Sequence, residues 1–587
     1  MSDRIFIGKP TPPGGVVSRR RLMLLLTALL VLIGLVTART IYLQSVKNRT
    51  LTQYADGQQQ NTQILPAVRG DILDRNGQEL AINEEALTFH ANPALLEDNR
   101  AGTALAVAKI LKLSPSESDR LVDTLTNATG GFAYVARQVP QEKAKALQEA
   151  KLPGIGWYEE EKRMYPAGPV AGQLLGFVNI DGDGLEGIEA LYDKSLTGSP
   201  GKQVAVKDPT GVPINVLELQ REQDGKDVKL TIDVTIQQEA ERVLAKTKRR
   251  FAAESATAIV LDPKTGEILA MAGSPRVNPA KWNKASAGAK RNRAITDQYE
   301  PGSTFKIVAV SAALEEGVAT PDQEFFLEPE LTFCKEKDTC TVGESHPRPA
   351  GWFTTEQILV ESSNIGTITL AQKVRDKYIR EGKGGNAAIN DWIRRFGFGE
   401  PTGIDFPGEI GGTILPTKKW SDVSIGNIPI GQGIAVTPLQ LAAAYAAIAN
   451  DGVLMQPHLL KRIGDEPEAA VQGRRVLSAK TARTMKGMFT GVVESDGGTG
   501  KKAGIPGYKV AGKTGTANVA ENGVYVKGKW VASFIGFVPA DNPRLVTLVV
   551  VDQPKNGYYG GDVAAPAFEE ITQFALQWLN ISPDGSI

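Results

Sequence analysis

The sequence predicts an α+β fold with one antiparallel sheet for residues 227–580, behind a separate module at 44–226 and one membrane-spanning helix at 22–43. A short tail is predicted at 581–587. The stretch between the ends of the large region is mostly helical, and such segregation of helices and strands is typical of α+β domains. Its β-rich runs lie near its two ends, at 257–261, 267–272, 531–538 and 545–551.

The composition is that of a globular protein without a polyanionic partner. Of the 587 residues, 42% are hydrophobic and 22% are charged, as in ordinary soluble domains. Lys and Arg together number 66, and so do Asp and Glu, so no surface for nucleic acid is predicted. The length favours about three or four domains.

The uncharged run Leu22–Ala38 spans about 26 Å as a helix, slightly less than the roughly 30 Å hydrocarbon core of a bilayer. Extension to Leu43 supplies the missing length, with Arg39 reaching the interface and Tyr42 as an interfacial aromatic. A cleaved signal peptide is the alternative. Its apolar region would be shorter, about 7–15 residues, and residues 36–39 form a poor cleavage sequence, so an uncleaved anchor is favoured.

Basic residues indicate the orientation of the anchor. More of them precede the helix than follow it within a comparable distance: Arg4, Lys9, Arg19, Arg20 and Arg21 against Arg39, Lys47 and Arg49. Because cytoplasmic flanks carry the excess of Lys and Arg, residues 1–21 are predicted to form a cytoplasmic tail. The chain beyond about residue 44 is then predicted to lie outside the cytoplasm.

The module at 44–226 alternates short β-rich runs with charged helical stretches and has no catalytic arrangement of side chains. Two segments stand out in it. Arg69–Gly77 reads as a strand followed by a turn, and Gly184–Asp193 contains a short helical pattern. A structural module is the simpler interpretation.

The elements of the large region follow in a clear order. A helix at Val234–Lys246 precedes a hairpin around Pro263, and a largely apolar helix runs from Phe305 to Leu314. The alanine-rich stretch Leu439–Ala449 predicts a tightly packed helix. A last helix is expected at Pro566–Leu579.

Three short motifs lie in this region, and they are Ser303-Thr304-Phe305-Lys306, Ser362-Ser363-Asn364 and Lys513-Thr514-Gly515-Thr516. Pro301 and the apolar residues that follow place the first motif at the start of a buried helix, where a serine and a lysine three apart share a face. Two partial copies fail this test. Ser199–Lys202 contains Pro-Gly, and Lys264–Gly266 lies at a hairpin tip.

The scarcity of histidine restricts the chemistry. His90, His346 and His458 are the three histidines, and they lie far apart in sequence, which disfavours a Ser-His-Asp triad or a zinc site. Ser303 at a helix N-terminus suits nucleophilic attack, and Lys306 is the available base. A lysine that works near neutral pH needs its pKa lowered by about 3 units from 10.4, or roughly 4 kcal/mol, which burial and a second cation can supply.

Ser362 and Asn364 are predicted to complete the acylation machinery. Ser362 can relay a proton between Lys306 and a leaving amine, and the amide of Asn364 offers a donor and an acceptor to a peptide backbone. Together with Ser303, these residues predict acyl transfer through a covalent ester.

The third motif is predicted to bind substrate. Lys513 and the hydroxyls of Thr514 and Thr516 suit a terminal carboxylate, and Lys513 is also the second cation that the base requires. Gly515 lets a substrate backbone approach closely. The N–H groups of Thr516 and Ser303 can form an oxyanion hole.

The two cysteines, Cys334 and Cys340, flank a polar stretch. Outside the cytoplasm they can close a disulfide; two free thiols, or a metal site with His346, are the alternatives. Spacing alone does not decide between these states, because disulfide geometry depends on the fold. No cofactor site is predicted, and neither is any metal site beyond this alternative.

In identity and order, the three motifs resemble those of penicillin-binding proteins and serine β-lactamases, and with the anchor and the outer module they resemble a class B penicillin-binding protein. The resemblance extends over nearly the whole chain through further stretches: Arg69–Arg75, Gly187–Asp193, Asp262–Met271, Gly431–Gln440 and Ala511–Ala517. It implies a pedestal without enzymatic activity at 44–226. It also implies a transpeptidase domain of the serine β-lactamase/transpeptidase fold at 227–580.

The resemblance also implies the reaction. A D,D-transpeptidase acylates Ser303 with a peptidoglycan stem peptide, releases the terminal D-Ala and passes the acyl group to an amine on a neighbouring strand. β-Lactam antibiotics, which resemble D-Ala-D-Ala, are expected to acylate the same serine. No region resembles a glycosyltransferase, so the glycan chains are expected from a separate polymerase.

Within class B, Ser362-Ser363-Asn364 and the run Ile434–Pro438 resemble the division-specific FtsI type. That type implies septal wall synthesis, with a SEDS-family polymerase and other division proteins as partners. The elongation type more often has aspartate at the position of Asn364. Gln432 between two glycines departs from the division pattern, so an elongation-type transpeptidase stays an alternative.

Three further classes compete with this interpretation. A membrane-anchored β-lactam sensor needs more membrane and cytoplasmic machinery than one span and a tail of about 20 residues. A secreted β-lactamase lacks the anchor and the pedestal, and no acidic motif clearly supplies the group that would activate water. A catalytically silent scaffold is disfavoured because every motif side chain is present.

Overall fold

The computed structural model describes residues 19–45, 60–96, 99–207, 213–334, 340–421, 423–468, 470–521 and 523–584. Most of the predicted cytoplasmic tail and the last three residues of the predicted C-terminal tail lie outside the described residues. The chain forms two compact units, Met1–Ala67 with Ser199–Gln223, and Val68–Gly198 with Asp224–Ile587. The predicted boundary between residues 226 and 227 falls inside the second unit and stays a prediction.

The first part of the chain, up to residue 220, contains both helices and strands. The strands are β1 (Gln60–Leu65), β2 (Ile72–Leu73), β3 (Glu79–Ala91), β4 (Ala133–Pro140), β5 (Ile155–Met164), β6 (Phe177–Val178), β7 (Gly184–Glu186), β8 (Gly201–Lys207) and β9 (Pro213–Gln220). The α-helices are α1 (Arg19–Ser45), α2 (Arg100–Leu111), α3 (Pro115–Asn127), α4 (Gln141–Glu149), α5 (Gly172–Leu175), α6 (Gly187–Leu191) and α7 (Asp193–Thr197).

The described residues of the first compact unit form a long apolar helix and a small sheet. Helix α1 has 27 residues and is long and apolar enough to cross a membrane. Its length of about 40 Å exceeds a hydrocarbon core of roughly 30 Å. It covers the predicted anchor 22–43 and extends beyond it at both ends. In the sheet, β8 pairs antiparallel with both β1 and β9.

The second unit begins with Val68–Gly198, which is the larger part of the predicted pedestal. Strand β3 pairs antiparallel with β4 along one edge and with β5 along the other. One face of this sheet is covered by helices, and the shared core contains Phe89, Leu111, Leu125, Val135 and Leu147.

The two conspicuous segments of the pedestal meet in a buried ion cluster. The Arg69 guanidinium lies 2.8 Å from a carboxylate oxygen of Glu189 and 2.8 Å from one of Asp193. Arg163 donates to the other Glu189 oxygen at 2.7 Å. These contacts join one segment to the other, and the structural role expected for the module stays a prediction.

The second part of the chain carries the larger domain. Its strands are β10 (Val228–Leu230), β11 (Ser255–Leu261), β12 (Ile268–Ser274), β13 (Glu324–Leu327), β14 (Glu330–Thr332), β15 (Thr341–Gly343), β16 (Gly351–Thr354), β17 (Thr413–Ile414), β18 (Ile434–Ala435), β19 (Val453–Met455), β20 (Leu460–Ile463), β21 (Gly473–Arg475), β22 (Ala511–Glu521), β23 (Val524–Val538) and β24 (Leu545–Asp552). Its α-helices are α8 (Val234–Phe251), α9 (Ala287–Lys290), α10 (Arg293–Thr296), α11 (Lys306–Glu315), α12 (Thr355–Val360), α13 (Asn364–Arg380), α14 (Gly385–Arg395), α15 (Ser424–Asn427), α16 (Pro438–Ala449), α17 (Ala479–Glu494), α18 (Gly560–Val563) and α19 (Ala565–Trp578).

A five-stranded antiparallel sheet in the order β12-β11-β24-β23-β22 forms the centre of this domain. Its two faces are both covered, as the alternation along β11 shows. Ala258 and Val260 pack in one core with α8 and α19, while Ile259 and Leu261 pack in the other core with the helical region. The predicted antiparallel α+β fold is therefore confirmed.

The pedestal and the larger domain share a second sheet. Strand β10 pairs parallel with β2 of the pedestal and antiparallel with β20 of the larger domain. The predicted boundary at 226/227 lies immediately before β10, so it does not coincide with a break between sheets.

Both rejected copies of the motifs lie outside helices, as predicted. Ser199 forms an isolated bridge, and Lys202 is part of β8. Lys264 lies at the tip of the β11–β12 hairpin, where its exposed amine contacts Asn542 at 2.9 Å.

Candidate active site

Ser303 lies in a 3-10 turn, Gly302–Phe305, that leads directly into α11. The predicted helix start is thus correct, although its first turn is not α-helical. Gly302 has a φ of +54°, and a Cβ there would come 2.8 Å from the carbonyl oxygen of Thr516. Glycine therefore allows the turn to pack against β22, beside the third motif.

Lys306, one turn further on, is fully buried. Its Nζ donates to the Ser362 carbonyl oxygen at 2.5 Å, to Ser362 Oγ at 3.1 Å and to Asn364 Oδ1 at 2.8 Å. One amine therefore joins the first two motifs. Burial lowers the pKa of Lys306 to about 7, and the opposing charge of Glu344 limits the decrease.

The chain turns sharply between α12 and α13 at the second motif. Ser362 has a φ of +61°, which is unusual for a residue with a side chain and costs of order 1–3 kcal/mol. The turn presents both oxygens of Ser362 to Lys306. Ser363 then caps α13, because its Oγ accepts from the Gly366 N–H at 2.9 Å.

Glu344 is a site residue that the sequence did not reveal. Its carboxylate accepts hydrogen bonds from the Asn364 N–H at 2.6 Å, from Ser363 Oγ at 2.6 Å and from Arg348 at 2.6 Å. Burial raises the pKa of Glu344, but the hydrogen bonds from Ser363 and Arg348 outweigh it and hold the pKa below its usual value. No local signal marks this residue, because it contacts a helix that begins 20 residues later.

Lys513 is the second fully buried lysine, on edge strand β22. Burial, and then the charge of Lys306, hold its pKa well below the ordinary value. The influence of Lys306 shows that the third motif lies beside the first, as the sequence suggests for a second cation.

The rest of the third motif contacts neighbouring segments of the protein. A Cβ on Gly515 would come 2.9 Å from Thr304 Cγ2 and 3.0 Å from the Pro301 carbonyl oxygen. The space that a Cβ on Gly515 would need is therefore filled by protein, and the approach of a substrate backbone to Gly515 stays a prediction. Thr516 Oγ1 accepts from the Gly560 N–H at 3.0 Å, which leaves its hydrogen free to donate. Thr514 Oγ1 lies 2.9 Å from Thr499 Oγ1.

The two cysteines form a disulfide, with their Cα atoms 5.9 Å apart. Among the alternatives left open by the sequence, the structure thus selects the disulfide over free thiols or a metal site. His346 instead stacks on Tyr559, with ring centroids 5.5 Å apart.

Two family models match the chain. The model of the penicillin-binding protein transpeptidase domain matches residues 256–573, and that of the penicillin-binding protein dimerisation domain matches residues 64–230. The chain belongs to the class B penicillin-binding proteins. The three motifs of this penicillin-binding protein all lie inside the transpeptidase match, and the Arg69–Glu189 ion cluster lies inside the other.

Relatives of this penicillin-binding protein match over almost its full length. It is 35% identical to peptidoglycan D,D-transpeptidase FtsI of Escherichia coli K12, over 96% of this chain and 92% of the relative. It is 34% identical to penicillin-binding protein PbpB of Mycobacterium tuberculosis, over 95% of this chain and 85% of the relative.

Solved structures agree with this assignment. Penicillin-binding protein 3 of Mycobacterium tuberculosis, in complex with aztreonam, matches with a TM-score of 0.66 and 30% identity. The match covers 89% of this chain and 98% of the other. The predicted transpeptidase-like fold behind a pedestal is confirmed.

Proposed function

We propose that this protein is a peptidoglycan D,D-transpeptidase that cross-links stem peptides through an acyl-enzyme on Ser303. The observation that carries the proposal is the Lys306 amine, which is fully buried one turn from Ser303 and has a pKa of about 7. An amine of this kind is a competent base near neutral pH. The name of the FtsI relative supports the reaction and a role in septal wall synthesis.

In the acylation step, Ser303 Oγ attacks the carbonyl carbon of the D-Ala-D-Ala bond while its proton passes to neutral Lys306. A C–O bond forms and the C–N bond breaks. The leaving D-Ala amine takes a proton from Lys306 through the hydroxyl of Ser362, whose Oγ lies 3.1 Å from Lys306 Nζ. Asn364 holds Lys306 and offers its amide to the substrate backbone.

In the transfer step, an amine of a second stem peptide attacks the ester carbon. The new C–N bond forms, the bond to Ser303 Oγ breaks, and Oγ regains a proton that the attacking amine has lost. The same groups carry this proton in the reverse direction. The product is a peptide cross-link, and the enzyme returns to its starting state.

The third motif has a binding role in this proposal. Thr516 Oγ1 has a hydrogen to donate, and this suits the terminal carboxylate of the stem peptide, with Thr514 and Lys513 beside it. The N–H groups of Ser303 and Thr516 form the oxyanion hole. The packing of the Gly302 turn against Thr516 supports the pairing of these two groups.

The proposed location is a single-pass anchor with residues 1–21 in the cytoplasm and residues 44–587 outside. The excess of basic residues before α1 supports this orientation. The disulfide supports it as well, because such bonds persist in oxidising compartments. We further propose that the pedestal, 44–226, contacts division proteins and a SEDS-family polymerase that supplies the glycan chains.

The deciding experiment is the intact mass of the full-length protein in detergent after exposure to a penicillin. We expect an adduct of one drug molecule, its absence in Ser303→Ala, and its retention in Ser199→Ala, the serine of the rejected motif copy. Rapid drug turnover without an adduct would indicate a hydrolase. No adduct and no turnover would indicate a silent scaffold.

A further inference from the structure

Glu344 is a buried carboxylate with no part in the proposed mechanism. It follows β15 directly, and β14 and β15 form a small hairpin with Leu331 opposite Val342. The Cys334–Cys340 disulfide closes this hairpin, and the Phe333 N–H donates to the Cys340 carbonyl oxygen at 3.1 Å. The chain before Glu344 is therefore held by a covalent bond and by a strand ladder.

The Glu344 carboxylate is aimed at the first turn of α13. Besides the Asn364 N–H and the Ser363 hydroxyl, the Ile365 N–H approaches it at 3.4 Å. Only 5% of its side chain is exposed. A carboxylate at a helix N-terminus satisfies free N–H groups and is stabilised by the helix dipole, so this contact fixes the position of the turn.

The same loop also orients the Asn364 side chain. Asn364 Nδ2 donates to the Gly343 carbonyl oxygen at 2.9 Å, and Oδ1 accepts from Lys306. Because an amide presents its two ends in opposite directions, the donor contact with Gly343 directs the acceptor toward Lys306. Glu344 and Gly343 together therefore determine that Asn364 turns its acceptor atom, Oδ1, toward Lys306.

We propose that Glu344 is a positioning residue for acylation: it holds the start of α13 so that Asn364 faces Lys306, and it directs negative charge at that amine. This inference rests on the proposed function, since it concerns the base of that reaction. Glu344 itself touches neither substrate nor the reacting atoms in this role.

The charge of Glu344 shifts the pKa of Lys306 in a definite direction. The charges that bear on Lys306 are Glu344 on the loop after β15, with its partner Arg348, and Lys513 on β22; the α12–α13 junction contributes the uncharged Ser362 and Asn364. Glu344 opposes the effect of burial and keeps the pKa of Lys306 from falling further. Removal of Glu344 lowers this pKa, whereas removal of Arg348 raises it.

The experiment is the second-order rate constant for acylation by a fluorescent penicillin, measured from pH 5 to 9 on the full-length protein in detergent. The wild-type rate is expected to rise with pH and to reach half its maximum near the Lys306 pKa of about 7. For Glu344→Gln we expect a midpoint at lower pH and a maximal rate lower by about tenfold or more. Glu344→Asp restores the midpoint, because it keeps the charge.

Arg348→Met supplies the opposite shift. It removes the cation next to Glu344, and we expect its midpoint at higher pH than that of the wild type. A loss of local structure alone would not move the two midpoints in opposite directions. This variant also carries the test if Glu344→Gln does not fold, which a melting curve would show.

Glu315→Gln is the matched control. Glu315 accepts hydrogen bonds from Ser478 N at 3.0 Å and from Ser478 Oγ at 2.8 Å, at the start of α17, so it is a carboxylate of the same kind away from the base. It should keep the wild-type midpoint and rate. Unchanged midpoints in both Glu344→Gln and Arg348→Met would overturn the inference. A wild-type protein that takes up no penicillin would overturn the proposed function, and this inference with it.

Discussion

The pedestal and the active site each bury two cations, and they treat them differently. In the pedestal, Arg69 and Arg163 share Glu189, whose side chain is fully buried, and Arg69 also reaches Asp193. Each guanidinium thus has a carboxylate within hydrogen-bonding distance. Arginine suits such a site because it stays charged and matches the two oxygens of a carboxylate.

In the active site, Lys306 and Lys513 are both fully buried, and neither forms an ion pair among the described residues. Their oxygen partners are neutral, and Glu344, the carboxylate whose charge acts on Lys306, is itself bound to Arg348. Burial without a partner charge disfavours the protonated amine, so the pKa of both lysines is lowered.

The difference between the two regions shows that a buried cation can have either a role in the fold or a role in proton transfer. In the pedestal, the shared carboxylate offsets the cost of burying the two guanidinium groups. A lysine that is buried without a partner charge is destabilising in its protonated form. Its neutral amine is therefore favoured, and this amine can accept a proton near neutral pH. The choice of arginine in one region and lysine in the other follows from this.

The largest effect is expected when Lys306 is replaced by arginine, the type of cation that is buried in the pedestal. Lys306→Arg places a group that stays protonated beside Ser303, so no base is present. We expect the rate constant for acylation by a fluorescent penicillin to fall by about 10²–10⁴-fold. Lys264→Arg, at the exposed hairpin tip, is the control. A rate for Lys306→Arg close to that of the wild type would show that Lys306 is not the base.

The second prediction removes the compensating charge from the pedestal. Glu189→Gln leaves Arg69 and Arg163 buried without their shared carboxylate, and we expect a destabilisation of about 3–5 kcal/mol. Chemical denaturation followed by fluorescence would measure it. The exposed Glu186 provides the matched variant, Glu186→Gln, which should be neutral. If both variants unfolded alike, the ion cluster would not stabilise the pedestal.

The third prediction concerns the covalent support of the active site. Replacing Cys334 and Cys340 with serine opens a loop with a sequence separation of 6, and the chain-entropy model gives a loss of about 2 kcal/mol. Because the hairpin holds Glu344, acylation should slow as well, and Glu189→Gln should not have this effect while folded. Melting curves and acylation rates of the same preparation would separate the two effects.

Much of this site could be predicted from sequence because its motifs are local. Ser303 and Lys306 lie within one turn, and the strands at the two ends of the domain show clear apolar runs. Helix α8, by contrast, runs to Phe251 rather than to the expected Lys246. The last turn of α8 is rich in basic residues, and these interrupt the apolar pattern from which the helix was predicted. Basic residues are nevertheless favourable at a helix C-terminus.

The remaining features depend on contacts between distant segments. Glu344 caps a helix that begins 20 residues later, and Gly515 is small because Pro301 and Thr304 pack beside it. Strand β10 pairs with β2 across the predicted domain boundary. No local pattern encodes such contacts, since each depends on where the folded chain places its partner.

The smallest effect is expected from a change of pH alone, without any mutation. With the pKa of Lys306 at about 7, the neutral base rises from a minor to a major fraction as pH increases from 6 to 8, so the acylation rate should rise about tenfold over this interval. The sign follows because burial lowers the pKa of Lys306, and the proposed base is its deprotonated form. A rate that fell with rising pH would contradict Lys306 as the base, whereas a flat profile would place its pKa below this range.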